Sequence, residues 1–487
     1  MKSSSNPKGG VRGLPPKALT ALILLCAGWF AAAAQTPPEP RREQLLNGLR
    51  ILLVSRPADQ NVLIKLRVHS GTAFDLAGKE GLMATLADAM FDQQTREYVT
   101  EELSGRIEVV PGYDTLDITL AGRASDFERL LELARNAVTN TQLTPEAVER
   151  VRSARLKSLR ETQPAPAEAA DRAVAARLFG TYPYGRTTTG TPESVTRFER
   201  ADFIVMRDRF LNPDNTTLVI VGGFEPRRVM RTLRESFGGW RKSDRIIPAT
   251  FRLPDPPDER TLIVGREGAQ GVELRLAVRG LARTDRDNPT AQVVAALVRD
   301  RWLATLPELK ERAAFARHEA FHESGIFRMG ATLRTPAEAA DALKAARLVL
   351  SGLATNAPTV AELENAKRAA SAFFTQATSN DETFANAWLD EHTYKTVAAT
   401  ASELARAANS VTPAEAQRVA ARLFLHTPTA IIAVGDAVRL RTELARIGAV
   451  EVFGEAAAKP APKTEPTPPQ QQQQSKPQQP ALQLKRP

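Results

Sequence analysis

RFLNPDNTTLVIVGG at residues 209–223 and RLFLHTPTAIIAVGD at residues 422–436 are two versions of one passage. Each runs from the end of a helix through a polar turn into a strand apolar enough to be buried on both faces. Two further pairs flank them. VLIKLRVHSG (62–71) and GVELRLAVRG (271–280) alternate as strands do and end on glycine. LTPEAVERVR (143–152), with Thr144 as cap and Pro145 at the first helical position, has APTVAELENAK (357–367) as its later counterpart. The offsets are 209, about 215 and 213 residues. Three landmarks in one order at nearly one spacing make an internal duplication whose period is the size of a domain.

Within the first half the coarse order is strands, helix, strands, then helices and a last strand. LLNGLRILLVSR (45–56) reads as a hairpin turned at Asn47-Gly48. EGLMATLADAMF (80–91) places Leu82, Leu86 and Met90 at helical spacing. SGRIEVVPGYDTLDITLAG (104–122) alternates through two strands, and FERLLELARNAV (127–138) is an amphipathic helix. The predicted fold class is α+β, with two homologous domains, each a mainly antiparallel sheet with helices packed on it. The proline-rich PATFRLPDPP (248–257) separates them. The predicted division is a domain over 41–245, a linker over 246–258 and a second domain over 259–454.

Both ends read as something other than fold. Lys2, Lys8, Arg12 and Lys17 precede an apolar run from Ala18 to Phe30 and four small residues, Ala31 to Ala34. This is the pattern of a secretory signal over 1–34, too short for an ordinary membrane span, and it predicts export, to the periplasm, with no membrane span after cleavage. Residues 455–487 are dominated by proline and glutamine and read as a disordered tail. Cys26, inside the predicted signal, is the single cysteine, so the mature chain has neither a disulfide framework nor a thiolate metal site. The net charge of +9 resides mostly in the two ends, and the body is close to neutral. Without basic residues gathered on a folded face, nucleic acid is not an expected partner.

Residues 45–91 resemble the start of the pitrilysin/insulinase family of zinc peptidases, the inverted-motif zincins related to the mitochondrial processing peptidase. Residues 182–240 resemble it too, through the lead-in GTPES, the strand passage NPDNTTLVIVG and the ending FGGW. The resemblance runs over about residues 44 to 450 and includes the duplication. It implies a His-x-x-Glu-His helix in which two histidines bind zinc and the glutamate activates a water, with a later glutamate completing the metal shell. In GLMATLADAMF the first histidine falls on Ala84, the glutamate on Ala87 and the second histidine on Asp88; the later glutamate falls at about Ser158. Two methyl groups, one carboxylate and one hydroxyl do not make a catalytic zinc site. The expectation is therefore a non-catalytic member with no metal and no cofactor. An arginine and tyrosine that the family carries in its second half align with Pro307 and with Phe315 or Ala314, so that pair is missing as well.

Zinc would have tied the helix at 80–91 to the helix at 144–161. With the ligands gone, Asp88 faces Arg152, Arg155, Lys157 and Arg160, and pairing with Arg155 is expected. The resemblance also implies peptide binding by strand addition, here along Arg106, Ile107, Glu108, Val109 and Val110. Pro111 suits the end of an edge strand.

His318-Glu319-Ala320-Phe321-His322 is a literal H-E-x-x-H. On a helix it would mark a zinc protease. Pro307 before it and Gly325 after it leave little room for one, and on a strand residues four apart lie about 13 Å from each other. The expectation is a strand and a coincidence. The leading functional expectation is a non-catalytic partner subunit for a zinc-bearing homologue, in peptide processing or degradation. The alternatives are a stand-alone peptide-binding or scaffold protein of the envelope, and an active zinc protease using His318 and His322.

Overall fold

The computed structural model describes residues 39–243, 252–376, 380–396 and 401–453. The predicted signal, Cys26 and the tail lie outside them, as does part of the predicted linker. β1 (Arg41–Gln44), β2 (Arg50–Ser55), β3 (Asn61–Val68), β4 (Arg106–Pro111), β5 (Leu116–Arg123) and β6 (Thr216–Gly222) form one sheet in the order β1-β2-β6-β3-β5-β4. Within this sheet only the β2–β6 pairing is parallel among the described residues. β7 (Thr261–Gly265), β8 (Val272–Gly280), β9 (Phe315–Ala320), β10 (Gly325–Leu333), β11 (Ala430–Gly435) and β12 (Val450–Val452) form the second, in the order β12-β7-β11-β8-β10-β9.

Five of the six places correspond one to one, β2 with β7, β6 with β11, β3 with β8, β5 with β10 and the edge strand β4 with β9. The sixth differs. β1 enters from the front of the chain as half of an antiparallel hairpin, whereas β12 comes from its far end and runs parallel to β7. The hairpin expected within 45–56 begins earlier, because residues 45–49 are its turn. Asn47 anchors that turn by donating to the carbonyls of Phe237 (2.7 Å) and Trp240 (3.0 Å).

One face of each sheet packs on its own helices. Ile64, Leu66 and Val68 of β3 meet Leu130, Phe203 and Leu233; Leu274 and Leu276 of β8 meet Val294, Trp302 and Leu343. The opposite faces are covered by exchange. The Asp381–Tyr394 helix of the second half lays Phe384, Trp388 and Leu389 on Leu52, Leu63 and Val219 of the first sheet. The Pro166–Phe179 helix of the first half lays Ala170, Val174 and Leu178 on Ala277, Ile432 and Val434 of the second. Each half builds its own sheet and completes it with a helix from the other.

This exchange explains an oddity of β3. Lys65 and Arg67 alternate with apolar neighbours, the pattern of a solvated face, yet both are buried. They meet acids at helical spacing on the lent helix. Lys65 pairs with Glu382 at 3.3 Å, and Arg67 binds Asp117 at 2.6 and 2.9 Å and Asp390 at 2.5 Å. His69 follows in the same row, between the hydroxyls of Thr217 (2.9 Å) and Thr393 (3.1 Å). Buried cations are tolerated because each finds a carboxylate.

Candidate functional site

The helix expected to carry the metal is present at Leu82–Asp88. Its start is built from two glycines back to back. Gly81 has φ +87°, and a Cβ there would lie 2.5 Å from the Gly190 nitrogen; Gly190 has φ +81° and lies as close to the Glu80 carbonyl. Only glycine serves at such positions. Asp75 caps the helix by accepting from the N–H groups of Gly81 (2.7 Å) and Met83 (2.8 Å). Burial pushes the Asp75 carboxyl up to about 7, against the pull of those N–H donors.

Ala84 and Ala87 are buried in the core beneath this helix, and Asp88 sits at its end. The Pro145–Glu161 helix passes alongside. Of its four basic candidates, Arg155 makes the contact. Its Nη2 donates to Asp88 Oδ2 at 2.6 Å and to the Ala84 carbonyl at 3.1 Å. One guanidinium thus joins the positions of both expected histidines and ties the two helices together. Burial raises the Asp88 carboxyl above the ordinary range even though Arg155 lowers it. Arg152 is engaged elsewhere, with Glu149 and the Phe198 carbonyl. Ser158 is exposed one turn beyond Arg155 and reaches neither Ala84 nor Asp88 by a hydrogen bond.

The residues present do not fit the zinc that the fold implies. Ala84 and Ala87 offer no donor atom, and the one carboxylate, Asp88, is held by an arginine where a cation would have to sit. Among the described residues, no group of three His, Cys, Asp or Glu is placed to hold a metal ion.

His318 is on β9, not on a helix, and its side chain is buried against Gly280. Its Nε2 accepts the Leu281 N–H at 2.9 Å, and burial lowers its pKa to about 4. His322 lies past the strand end, exposed, with Nδ1 2.7 Å from Glu323. The two rings serve different surroundings. Pro307 opens a short 3-10 turn and Phe315 begins β9, its ring stacked by Arg275 and Arg317. No arginine–tyrosine pair forms at those positions.

β4 is the last strand of its sheet, pairing with β5 alone among the described residues. Arg106, Glu108 and Val110 are exposed, Ile107 and Val109 half-buried. Arg106 binds Glu108 (3.1 Å) and Glu382 of the lent helix (2.6 Å). Beside β4 lies a groove of about 810 Å³, floored by Asp88, Arg155 and Ser158. Arg96 links the two, lining the groove and donating to the Ile107 carbonyl at 3.4 Å. Arg96, Arg150 and Asp75 were not singled out from the sequence. The first two carry no motif, and the cap stands six and eight residues ahead of the N–H groups it meets.

Residues 197–370 match the family model of the peptidase M16 inactive domain. An uncharacterized zinc protease of Rickettsia bellii is 21% identical over 47% of this chain and 59% of its own length. Another, from Mycobacterium leprae, is 25% identical over 50% and 56%. Subunit 1 of the mitochondrial cytochrome b-c1 complex of Bos taurus is 22% identical over 43% and 45%. The chain thus spans about three-fifths or less of the curated relatives it matches. Among solved structures, a protease from Helicobacter pylori aligns with TM-score 0.73 at 16% identity, over 82% of this chain and 100% of that one. A peptidase M16 inactive domain from Pseudomonas fluorescens aligns with TM-score 0.69 at 17% identity, over 82% and 98%. A doubled peptidase fold whose metal helix lacks its ligands defines a degenerate peptidase homologue. Residues 197–370 match an M16 peptidase model and the fold is that of M16-like peptidases, the pitrilysin/insulinase-type family that the sequence resembles.

Proposed function

We propose that this protein is a non-catalytic, peptide-holding subunit that works without zinc in the periplasm beside a zinc-bearing homologue. The observation that carries the reading is the closure of the metal position by Arg155 while the neighbouring edge strand stays open. A metal site lost by drift would leave a hole or an unpaired carboxylate; here the cross-link between the two helices is kept by an ion pair. The edge strand supplies what peptide capture needs, a row of backbone groups that meet no second strand among the described residues. The likeness to subunit 1 of the cytochrome b-c1 complex supports a subunit role, since that relative is by name part of an assembly. The test is to purify the chain with a homologue bearing an intact His-x-x-Glu-His and follow cleavage of an unstructured peptide. The reading expects a complex and a changed rate or specificity. An unchanged rate and no complex would reject it.

A further inference from the structure

The groove over the former metal position carries an unbalanced set of donors. Its charged lining is Asp88, Asp92, Arg96, Arg150 and Arg155, a surplus of one positive charge. Both carboxylates are already engaged, Asp88 by Arg155 and Asp92 by the Thr95 N–H of the helix it caps (2.8 Å). The cations are engaged only in part: Arg155 holds Asp88, Arg96 donates to the Ile107 carbonyl and lies over the Phe91 ring, and the charge of Arg150 adds to the Thr95 hydrogen bonds that lower the Asp92 carboxyl. Arg150 is exposed and makes no hydrogen bond or ion pair among the described residues. Arg155 spends only Nη2; Nη1 has no partner among the described residues, and Nε is buried without one. A guanidinium offers five N–H donors in a planar fork that matches a carboxylate. This one is held rigidly by Asp88 and the Ala84 carbonyl with part of that fork unmatched.

We propose that the groove is a carboxylate site in which Arg155 and Arg150 take an acidic group of a peptide lying along β4. This rests on the reading that β4 receives a peptide strand. Arg96, shared between the groove and the Ile107 carbonyl, makes the two surfaces continuous. Ser158 and Gln142 add neutral donors at the same lining. The carboxylate comes either from an Asp or Glu side chain or from the peptide's C-terminus. An arginine standing where the family has a metal thus converts the position into one that selects acidic peptides.

The test is calorimetric titration of the full chain at low salt with short acetylated peptides of alternating Val and Thr. One carries a central Glu and an amidated end, the second has Gln for Glu, and the third has Gln with a free C-terminal carboxylate. The Glu peptide, the free-acid peptide or both should bind about tenfold or more tightly than the neutral one, as a charge-assisted contact requires. Which of them does so identifies the source of the carboxylate. The preference should fall with added salt and vanish in Arg150→Gln, an exposed change that leaves the helix cross-link alone, and in Arg155→Met. Equal binding of all three peptides would overturn the carboxylate site while leaving strand addition standing. A preference kept in both variants would overturn it as well. Binding of none would reject both.

Discussion

Removing Arg155 tests whether an ion pair has taken over the structural duty of the metal. The Asp88 side chain is 46% exposed and that of Arg155 is 17% exposed, so the pair sits between a surface bridge and a buried one. Surface pairs contribute about 0–1 kcal/mol, and breaking a buried pair costs about 3–5. The exposed side of Asp88 brings the pairwise coupling down to about 1 kcal/mol. Arg155→Met also frees the Ala84 carbonyl, for a total of about 1–2 kcal/mol. Asp88→Asn should cost less, since burial already disfavours its charge. A chain of two interlocked halves will not unfold in one step, so the assay should be local. Hydrogen exchange followed by mass spectrometry over residues 82–91 reports opening of that helix. In Arg155→Met its amides should exchange roughly 5 to 30 times faster, with the double variant no worse than additive minus about 1 kcal/mol. Unchanged protection at 82–91, or strict additivity of the two changes, would refute the cross-link.

Asp75 makes the same helix pH-sensitive. Its carboxyl is raised to about 7, above its unfolded value of 3.8, so its contribution is full at low pH and is lost as pH rises through about 7. Protection of 82–88 should increase from pH 8 to pH 6, and Asp75→Asn should abolish that increase. His69 acts in the opposite sense. Burial lowers it to about 3, below its unfolded value of 6.5, so the stability it contributes above 6.5 is lost as pH falls toward 3. Thermal melts should drop between pH 6.5 and 4, and less steeply in His69→Gln. Trp388 is the apolar anchor of the lent helix, and Trp388→Ala should cost about 3–5 kcal/mol. The loss should register in the first half, as faster exchange of β2 and β6, whose Leu52 and Val219 the ring covers.

Much of this architecture is legible in the sequence because it depends on local patterns. The duplicated strand passages, the cap Thr144-Pro145 and the helical spacing in 80–91 each follow from neighbours a few residues away. The register of the metal helix comes from the family resemblance laid on GLMATLADAMF, and the pairing of Asp88 from the cations on the helix that the resemblance sets beside it. The H-E-x-x-H at 318–322 was separable from a metal helix because Pro307 and Gly325 bound a short element. The helix exchange was not legible. An amphipathic segment such as 381–394 shows that it has an apolar face, not which of two similar sheets that face will meet. The burial of Lys65 and Arg67 was not legible for the same reason, since alternation alone cannot tell a solvated sheet face from one covered by acids 317 and 323 residues away. Arg96 and Arg150, the groove's other two cations, became visible only once four helices were brought together.

The most direct test of the central claim is the metal content of the purified full chain, measured by elemental analysis after equilibration with zinc, together with peptide cleavage by the chain alone. With Ala84, Ala87 and an arginine-bound Asp88 at the metal position, the account predicts no stoichiometric zinc and no cleavage. One zinc per chain, with cleavage lost in His318→Ala or Asp88→Ala, would contradict it.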